Sequence, residues 1–255
     1  MTAQRWTQAV RDQVAFGGLL PLGDGTAGAW LAESAAVSAL RHAGDLAPGV
    51  RLERITLIPT RTDDSVTPQT TFPAPPTALP PGPLRLSASF AACVTHPLPE
   101  TAATLRVVLL STARDRLGLA VARADLRVTD LLDEDPRAGR TPTSTGQGRP
   151  LEADESRVPE GIARHAATAA RSVDGVAGLG GAFGGHGRPV RLGEAREDGS
   201  PTHVRVEVVA TDLRPLPDTV RAVRSAVGSV LEPGTTVTVL VTGWLPDAGN
   251  GEAPA

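Results

Sequence analysis

The sequence Pro97-Leu98-Pro99-Glu100-Thr101 recurs 118 residues later as Pro215-Leu216-Pro217-Asp218-Thr219. In both places the prolines fit the first turn of a helix, where a missing N–H removes no intrahelical hydrogen bond. Glu100 and Asp218 favour the same position, because a carboxylate stabilises the positive end of the helix dipole. The two motifs therefore predict two equivalent helix starts and an internal repeat.

The residues on either side of the motifs repeat as well. Each motif follows a segment in which apolar and polar residues alternate, as in a half-buried strand, and precedes an apolar stripe with helical spacing. The strand positions are Leu84, Leu86, Ala88, Phe90, Ala92 and Val94 in copy one, and Val204, Val206, Val208 and Ala210 in copy two. The stripe positions are Val220, Val223, Val227 and Val230 in copy two, and Leu105, Val108 or Leu109, and Thr112 in copy one.

Each copy also contains a last strand, an Ala-rich first helix and a strand after that helix. The last strands carry Ala122, Ala124, Leu126 and Val128, and Val237, Val239 and Val241. The first helices are predicted from about Ala29 to Ala43, ending near Gly44, and over Ile162, Ala166, Ala169 and Val173, ending at Asp174-Gly175. Strands follow over Val50–Ile58 and from Val176. The order helix–strand–strand–helix–strand predicts an α+β fold: a tandem duplication of a small two-layer domain, with its helices on one face of a small sheet.

Composition sets the predicted domain boundaries. Pro-rich sequence and a segment of Gly, Ser, Thr, Pro and charged residues offer too little apolar area to pack a core. Trp6, Val10, Val14 and Phe16 predict an amphipathic N-terminal helix that docks on copy one or, alternatively, forms a partner surface. The predicted units are 1–28 (N-terminal helix and loop), 29–132 (first domain, with a Pro-rich insertion at 60–83), 133–157 (disordered linker), 158–244 (second domain) and 245–255 (disordered tail).

Charge and residue usage exclude several classes of protein. The formal net charge of −3 and the 3% aromatic content disfavour nucleic-acid binding, which calls for a basic face and base-stacking rings. No apolar run is long enough for direct membrane insertion, and the first residues lack the apolar core of a signal peptide, so a cytoplasmic protein is expected. All 25 basic residues are Arg, which with the scarcity of Asn, Ile and Tyr indicates a high-GC bacterium.

Copy two resembles a known family. The segment 162–179, the Val204–Val209 strand, the Pro-Leu-Pro-Asp-Thr-Val helix start and the Val-Thr-Val-Leu-Val ending are similar to the alkaline shock protein family of the general or envelope stress response, over roughly Val158 to Trp244. Copy one resembles a more divergent version, as in two-copy actinobacterial chains. The resemblance implies a small α+β fold, self-association, a membrane-anchored protein partner and membrane association through that partner. It implies no catalytic residues.

The Gly-rich run Gly178–Arg188 is the strongest candidate for a binding site. It lacks the third glycine of a dinucleotide fingerprint, because Phe183 stands in that place, and a chain without Lys has no P-loop. Gly184-Gly185-His186-Gly187 matches the G-x-x-G of a KH domain but lies between strands. Two interpretations stay open: a flexible hairpin connection, or a loop whose backbone N–H groups and Arg188 bind a small anion.

The other reactive residues predict no catalytic, cofactor-binding or metal site. The five histidines (His42, His96, His165, His186, His203) lack ligand spacing, and Cys93 has no base near it in sequence. Asp130, Asp133, Glu134 and Asp135 fit a solvated cluster. Trp244 fits either a core plug or an exposed anchor.

The leading functional hypothesis is therefore a non-enzymatic scaffold of the envelope stress response, which docks an acidic partner on an exposed helix face with Arg221 and Arg224. The alternative is a binding protein that holds a small anionic ligand at Gly178–Arg188.

Overall fold

The computed structural model describes residues 17–23, 28–60, 72, 74–75, 77–136, 161–180, 188–194 and 201–246. Over these residues the chain is a mixed α+β protein with four α-helices and nine strands in two sheets. The predicted N-terminal helix, most of the Pro-rich insertion, most of the linker, residues 181–187 of the Gly-rich run and nearly all of the tail lie outside them.

The first half contains a three-stranded small sheet. Its strands are β3 (Val50–Pro59), β4 (Leu84–Cys93) and β5 (Val121–Leu132), with β4 in the middle, antiparallel to β3 and parallel to β5. Helices α1 (Glu33–Asp45) and α2 (Leu98–Ser111) pack on one face of this sheet, and α2 continues as a π-helical turn over Thr112–Arg116. The helix–strand–strand–helix–strand order predicted for this half is confirmed.

The second half has this order with one additional strand, around a larger sheet. Its elements are α3 (Ile162–Arg171), β6 (Val176–Leu179), β7 (Val190–Leu192), β8 (His203–Thr211), α4 (Leu216–Gly228) and β9 (Thr236–Leu245). Strands β6 and β7 both pair antiparallel with β8, which is parallel to β9. Two N-terminal strands, β1 (Leu19–Pro21) and β2 (Ala29–Ala32), complete this large sheet, because β2 pairs in parallel with β9 and β1 pairs with β2.

Strand β2 corrects the prediction for the start of the first helix. Residues 29–32 were expected to be helical, but they form β2, and α1 begins at Glu33 and continues past Gly44 to Asp45. The cause is tertiary: Trp30 and Leu31 are buried beside Leu240 and Val241 of β9. A segment assigned to the first domain thus extends the sheet of the second, and the two halves share strand pairing.

Burial confirms most of the predicted core. Val220, Val223 and Val227 of α4 are buried, and Leu109 rather than Val108 joins Leu105 in the first half. Val94 and Val230 were wrongly placed in the core: both lie past the end of their element and are exposed.

The last strand of the first half also differs from its predicted pattern. In β5, Val121 and Ala124 are buried, whereas Ala122 and Val128 are exposed. A register shift after Val121 leaves Ala122 without a partner on β4, so alternation breaks at that point.

Several contacts recur at equivalent places in the two halves. The N–H of Cys93 donates to the carbonyl oxygen of Gly49 (2.8 Å), and that of Thr211, 118 residues later, donates to Gly175 (2.9 Å). The register between the parallel strands shifts after Phe90 in one half and after Val208 in the other.

The repeated motif itself makes the same bonds twice. The hydroxyls of Thr101 and Thr219, both buried, donate to the carbonyl oxygens of Pro97 (3.2 Å) and Pro215 (3.4 Å). Threonine is suited to this position because its hydroxyl can be buried when a carbonyl four residues back accepts the bond.

The two halves meet along a junction formed by the end of α2 and the turn before α4. The guanidinium of Arg116 bonds both the carboxylate and the carbonyl oxygen of Asp212. Gly118 has a positive φ of 67°, and a Cβ built on it would lie 2.4 Å from Cγ of Pro217. Close approach of the halves therefore requires glycine at this position.

We expect Gly118→Ala to destabilise the protein more than Gly23→Ala. Both glycines have nearly the same positive φ, but a Cβ on Gly23 would meet no atom of the described residues within 4 Å. Each substitution adds backbone strain on the order of 1 kcal/mol, and the contact with Pro217 adds roughly 1–3 kcal/mol for Gly118 alone. Chemical denaturation measures both free energies of unfolding, and equal losses would show that the halves do not pack at this point.

Candidate functional site

The Gly-rich run interrupts one edge of the large sheet. The N–H of Gly180 donates to the carbonyl oxygen of Glu207 (2.9 Å), and the N–H of Glu207 donates to the carbonyl oxygen of Pro189 (2.8 Å). The residues before and after the run therefore both bond to Glu207 of β8. Strands β6 and β7 pair with successive parts of the same edge of β8. The predicted hairpin connection is corrected: the run does not join two neighbouring strands.

Glu207 is a buried acid at the base of this run. Its residue surface is 1% exposed, and the nearest basic atom, Nε of Arg205, is 3.9 Å from Oε1. Burial raises the pKa of the Glu207 carboxyl to about 7, against the opposing effect of Arg205 and Arg191. The carboxyl can therefore exchange one proton near neutral pH.

Two further polar atoms are buried beside Glu207. Nε of Arg205 and Oγ1 of Thr238 have no hydrogen-bond partner in the described part of the chain, and neither does Oε2 of Glu207. Arg205 and Thr238 are opposite each other in the β8–β9 register. The alternation of apolar and polar residues predicted that these residues face solvent. Strand β8 is instead buried on both faces, which alternation alone cannot show.

Histidine and cysteine residues form no recognisable reactive site. Among the described residues, no group of three His, Cys, Asp or Glu side chains could hold a metal ion. The ring of His42 is tilted by 52° against that of Trp244, with 5.4 Å between the ring centroids, and Nδ1 of His203 lies 2.8 Å from Oγ1 of Thr236. His165 is exposed, and His186 lies outside the described residues.

Cys93 is fully buried, which removes it from solvent-borne substrates. Its Sγ lies 3.1 Å from the hydroxyl of Thr95, which lies 3.0 Å from Nδ1 of His96. The acidic residues Asp130, Asp133 and Glu134 are exposed and Asp135 is half-buried, so the cluster lies at the surface.

The basic face predicted on α4 is largely engaged within the chain. Arg221 pairs with Asp218 at 2.7 Å. Arg224 is half-buried, with its guanidinium 5.0 Å from the ring centroid of Phe72. Trp244 is buried, as in the core-plug interpretation.

A larger basic surface lies on the small sheet, on the face that does not pack against α1 and α2. We call it the outer face. Its middle strand contributes the short side chains of Ser87, Ser89 and the buried Ala91, with Arg85 near its start, and further arginines lie on both neighbouring strands. These arginines are Arg51, Arg54, Arg85, Arg123 and Arg127, and all five are exposed.

A register shift directs two of the arginines, Arg51 and Arg54, to this face. The shift after Leu52 in β3 places Arg51 opposite Ala91 and Arg54 opposite Ser89. The two arginines are three positions apart, and in a regular strand they would lie on opposite faces. Such bulges re-aim side chains at the surface of a sheet. Because Arg54 and Arg127 both lie opposite Ser89, they are about two strand spacings, or roughly 10 Å, apart across the middle strand.

Three arginines of the outer face have free charges. Asp125 bonds Arg85 and, at 2.8 Å, Arg123; the Arg85 guanidinium, more than any other group, lowers the pKa of this carboxyl. Arg51, Arg54 and Arg127 make no ion pair with any residue that the structure describes. The face also carries acids, because Asp130 lies opposite Ala91 and the carboxylate of Glu53 on β3 accepts a hydrogen bond from the Thr129 hydroxyl of β5 (2.8 Å). Its five arginines outnumber the acids Glu53, Asp125 and Asp130, so the outer face carries excess positive charge, which suits carboxylates of a partner.

No protein-family model matches the sequence, and no curated protein is significantly similar to it. Among the described helices, none is long and apolar enough to cross a membrane.

Proposed function

We propose that this chain is a non-enzymatic interaction protein that docks an acidic protein partner on the outer face of its small sheet. The observation that carries the proposal is a set of three arginines, Arg51, Arg54 and Arg127, that lie around the short side chains of β4 and form no ion pair with any described residue. Charge complementarity of this kind steers a partner and increases the rate of association. Arginine also suits the task because its planar guanidinium can donate two parallel hydrogen bonds to one carboxylate.

The resemblance of copy two to alkaline shock proteins supplies the proposed context: a cytoplasmic scaffold of the envelope stress response that reaches the membrane through an anchored partner. A tandem duplication is part of this proposal. It is supported by the repeated motif, the equivalent bonds of Cys93 and Thr211, and the register shifts at equivalent positions.

The outer face has more support than the alternatives from the sequence. On α4, Arg221 and Arg224 already have partners within the chain. At the base of Gly178–Arg188, the buried carboxyl of Glu207 would repel a small anion once it ionises.

Charge reversal on the outer face tests the proposal. We expect Arg54→Glu combined with Arg127→Glu to weaken binding of the partner by about tenfold or more, mainly through a slower association rate. The melting temperature should stay the same, because exposed substitutions usually change stability by less than about 0.5 kcal/mol. The measurement is quantitative affinity purification from the source cells, followed by binding kinetics with the protein recovered with the unmodified chain.

A matched variant controls for net charge. Arg106→Glu combined with Arg221→Glu removes two other exposed arginines and should leave the association rate unchanged. If the control variant loses the partner and the outer-face variant keeps it, the docking surface lies on the helical side of the protein and the proposal is wrong.

A further inference from the structure

A cavity of about 210 Å³ lies at the junction of the two halves. Its walls come from α1, the π-helical turn after α2, the turn between β8 and α4, and the end of β9. No single half encloses it, so a molecule bound there would contact both. A cavity between two structural units is the usual place for a small-molecule site.

The floor of the cavity is apolar. Ala39 and Ala43 of α1 contribute small side chains, and Leu117, Leu216 and Trp244 contribute larger ones. The Trp244 side chain is mostly buried, packs against the His42 ring and contributes an aromatic part of the lining. An engineered protein cavity of about 150 Å³ is known to hold benzene, so 210 Å³ has room for one aromatic ring with a small substituent.

The charge of the cavity lining favours an anion. Its one acid, Asp212, is neutralised by two bonds from Arg116. Arg214 also lines the cavity, is exposed and makes no ion pair or hydrogen bond with any described residue. Thr112 and Thr211 belong to the same lining, and a threonine hydroxyl can donate a hydrogen bond.

We propose that the junction cavity is a binding site for a small aromatic anion, a single ring bearing a carboxylate or a phosphate. The ring lies against Trp244 and Leu216, and the anionic group bonds Arg214 and the threonine hydroxyls. This site is distinct from the outer face, and it differs from the Gly-rich run because its lining brings an unpaired cation and an apolar floor together. Binding would link the two halves, since its contacts come from α1 and from the turn before α4.

Calorimetric titration of the full chain with benzoate, phenyl phosphate and neutral benzamide tests the site. We expect one of the two anions to bind with one-to-one stoichiometry and to raise the melting temperature, and benzamide to bind at least roughly tenfold more weakly. Tighter binding of phenyl phosphate than of benzoate identifies a phosphate as the natural group, and the reverse order identifies a carboxylate. Failure of both anions to bind in the millimolar range would overturn the proposal.

Two variants locate the bound anion. Arg214→Gln removes the free cation and should weaken anion binding about tenfold, while binding of benzamide stays the same. Ala43→Met fills the cavity and should abolish binding of all three probes. Arg171→Gln, at an exposed position on α3, is the control and should change nothing. Anion binding that persists unchanged in Arg214→Gln would refute the site, whether or not Ala43→Met folds.

Discussion

Val227→Asp is expected to unfold the second half of the protein. Val227 is fully buried on the face of α4 that packs against the large sheet. A carboxylate in that position would have no partner, and burying it costs several kcal/mol, which is comparable with the whole stability of a small protein. Circular dichroism at increasing temperature should show either no cooperative unfolding transition or a large drop in the melting temperature.

Val230→Asp is the matched control. Val230 continues the same apolar stripe in sequence, but α4 ends at Gly228 and Val230 is 44% exposed. The control should change the free energy of unfolding by no more than about 0.5 kcal/mol. Similar losses for the two variants would mean that α4 is longer or rotated about its axis.

Glu207→Gln is expected to stabilise the protein above neutral pH. It should also remove most of the pH dependence that Glu207 gives to the free energy of unfolding. The pKa of Glu207 is about 7 in the native state against an ordinary value of 4.5, so the unfolded chain releases this proton first. The contribution of this group to the free energy of unfolding is therefore largest below pH 4.5. It declines as the pH rises to about 7. The decline is on the order of 3 kcal/mol.

The check is a series of urea denaturation curves between pH 4.5 and 8 for both proteins. The unmodified protein should lose stability across this interval, and Glu207→Gln should lose much less. Glu100→Gln, at an exposed position in the first turn of α2, should follow the unmodified protein. A slope that persists in Glu207→Gln would assign the pH dependence to another group.

The repeated motif made the strand–helix–strand order around it predictable in both halves, since proline and an acidic residue fix each helix start locally. The start of α1 was not predictable in the same way. Residues 29–32 favour a helix by composition, but β9 lies more than 200 residues away in sequence and turns them into a strand. Long-range pairing leaves no mark on local spacing.

The candidate surfaces also depend partly on local pattern and partly on long-range structure. Alternation in β4 predicted that one face of the small sheet carries short polar side chains. The gathering of Arg51 and Arg54 on that face depends on a register shift, which periodicity cannot reveal. The burial of Glu207 likewise depends on what covers the second face of β8, and the junction cavity depends on how the halves meet.

Site-specific photo-cross-linking in the source cells tests the docking claim most directly. A benzophenone amino acid replaces Ser89, in the middle of the outer face, or Ser225, an exposed position on α4. We expect a discrete covalent adduct with a partner protein from position 89 and none from position 225. An adduct from position 225 together with none from position 89 would contradict docking on the outer face.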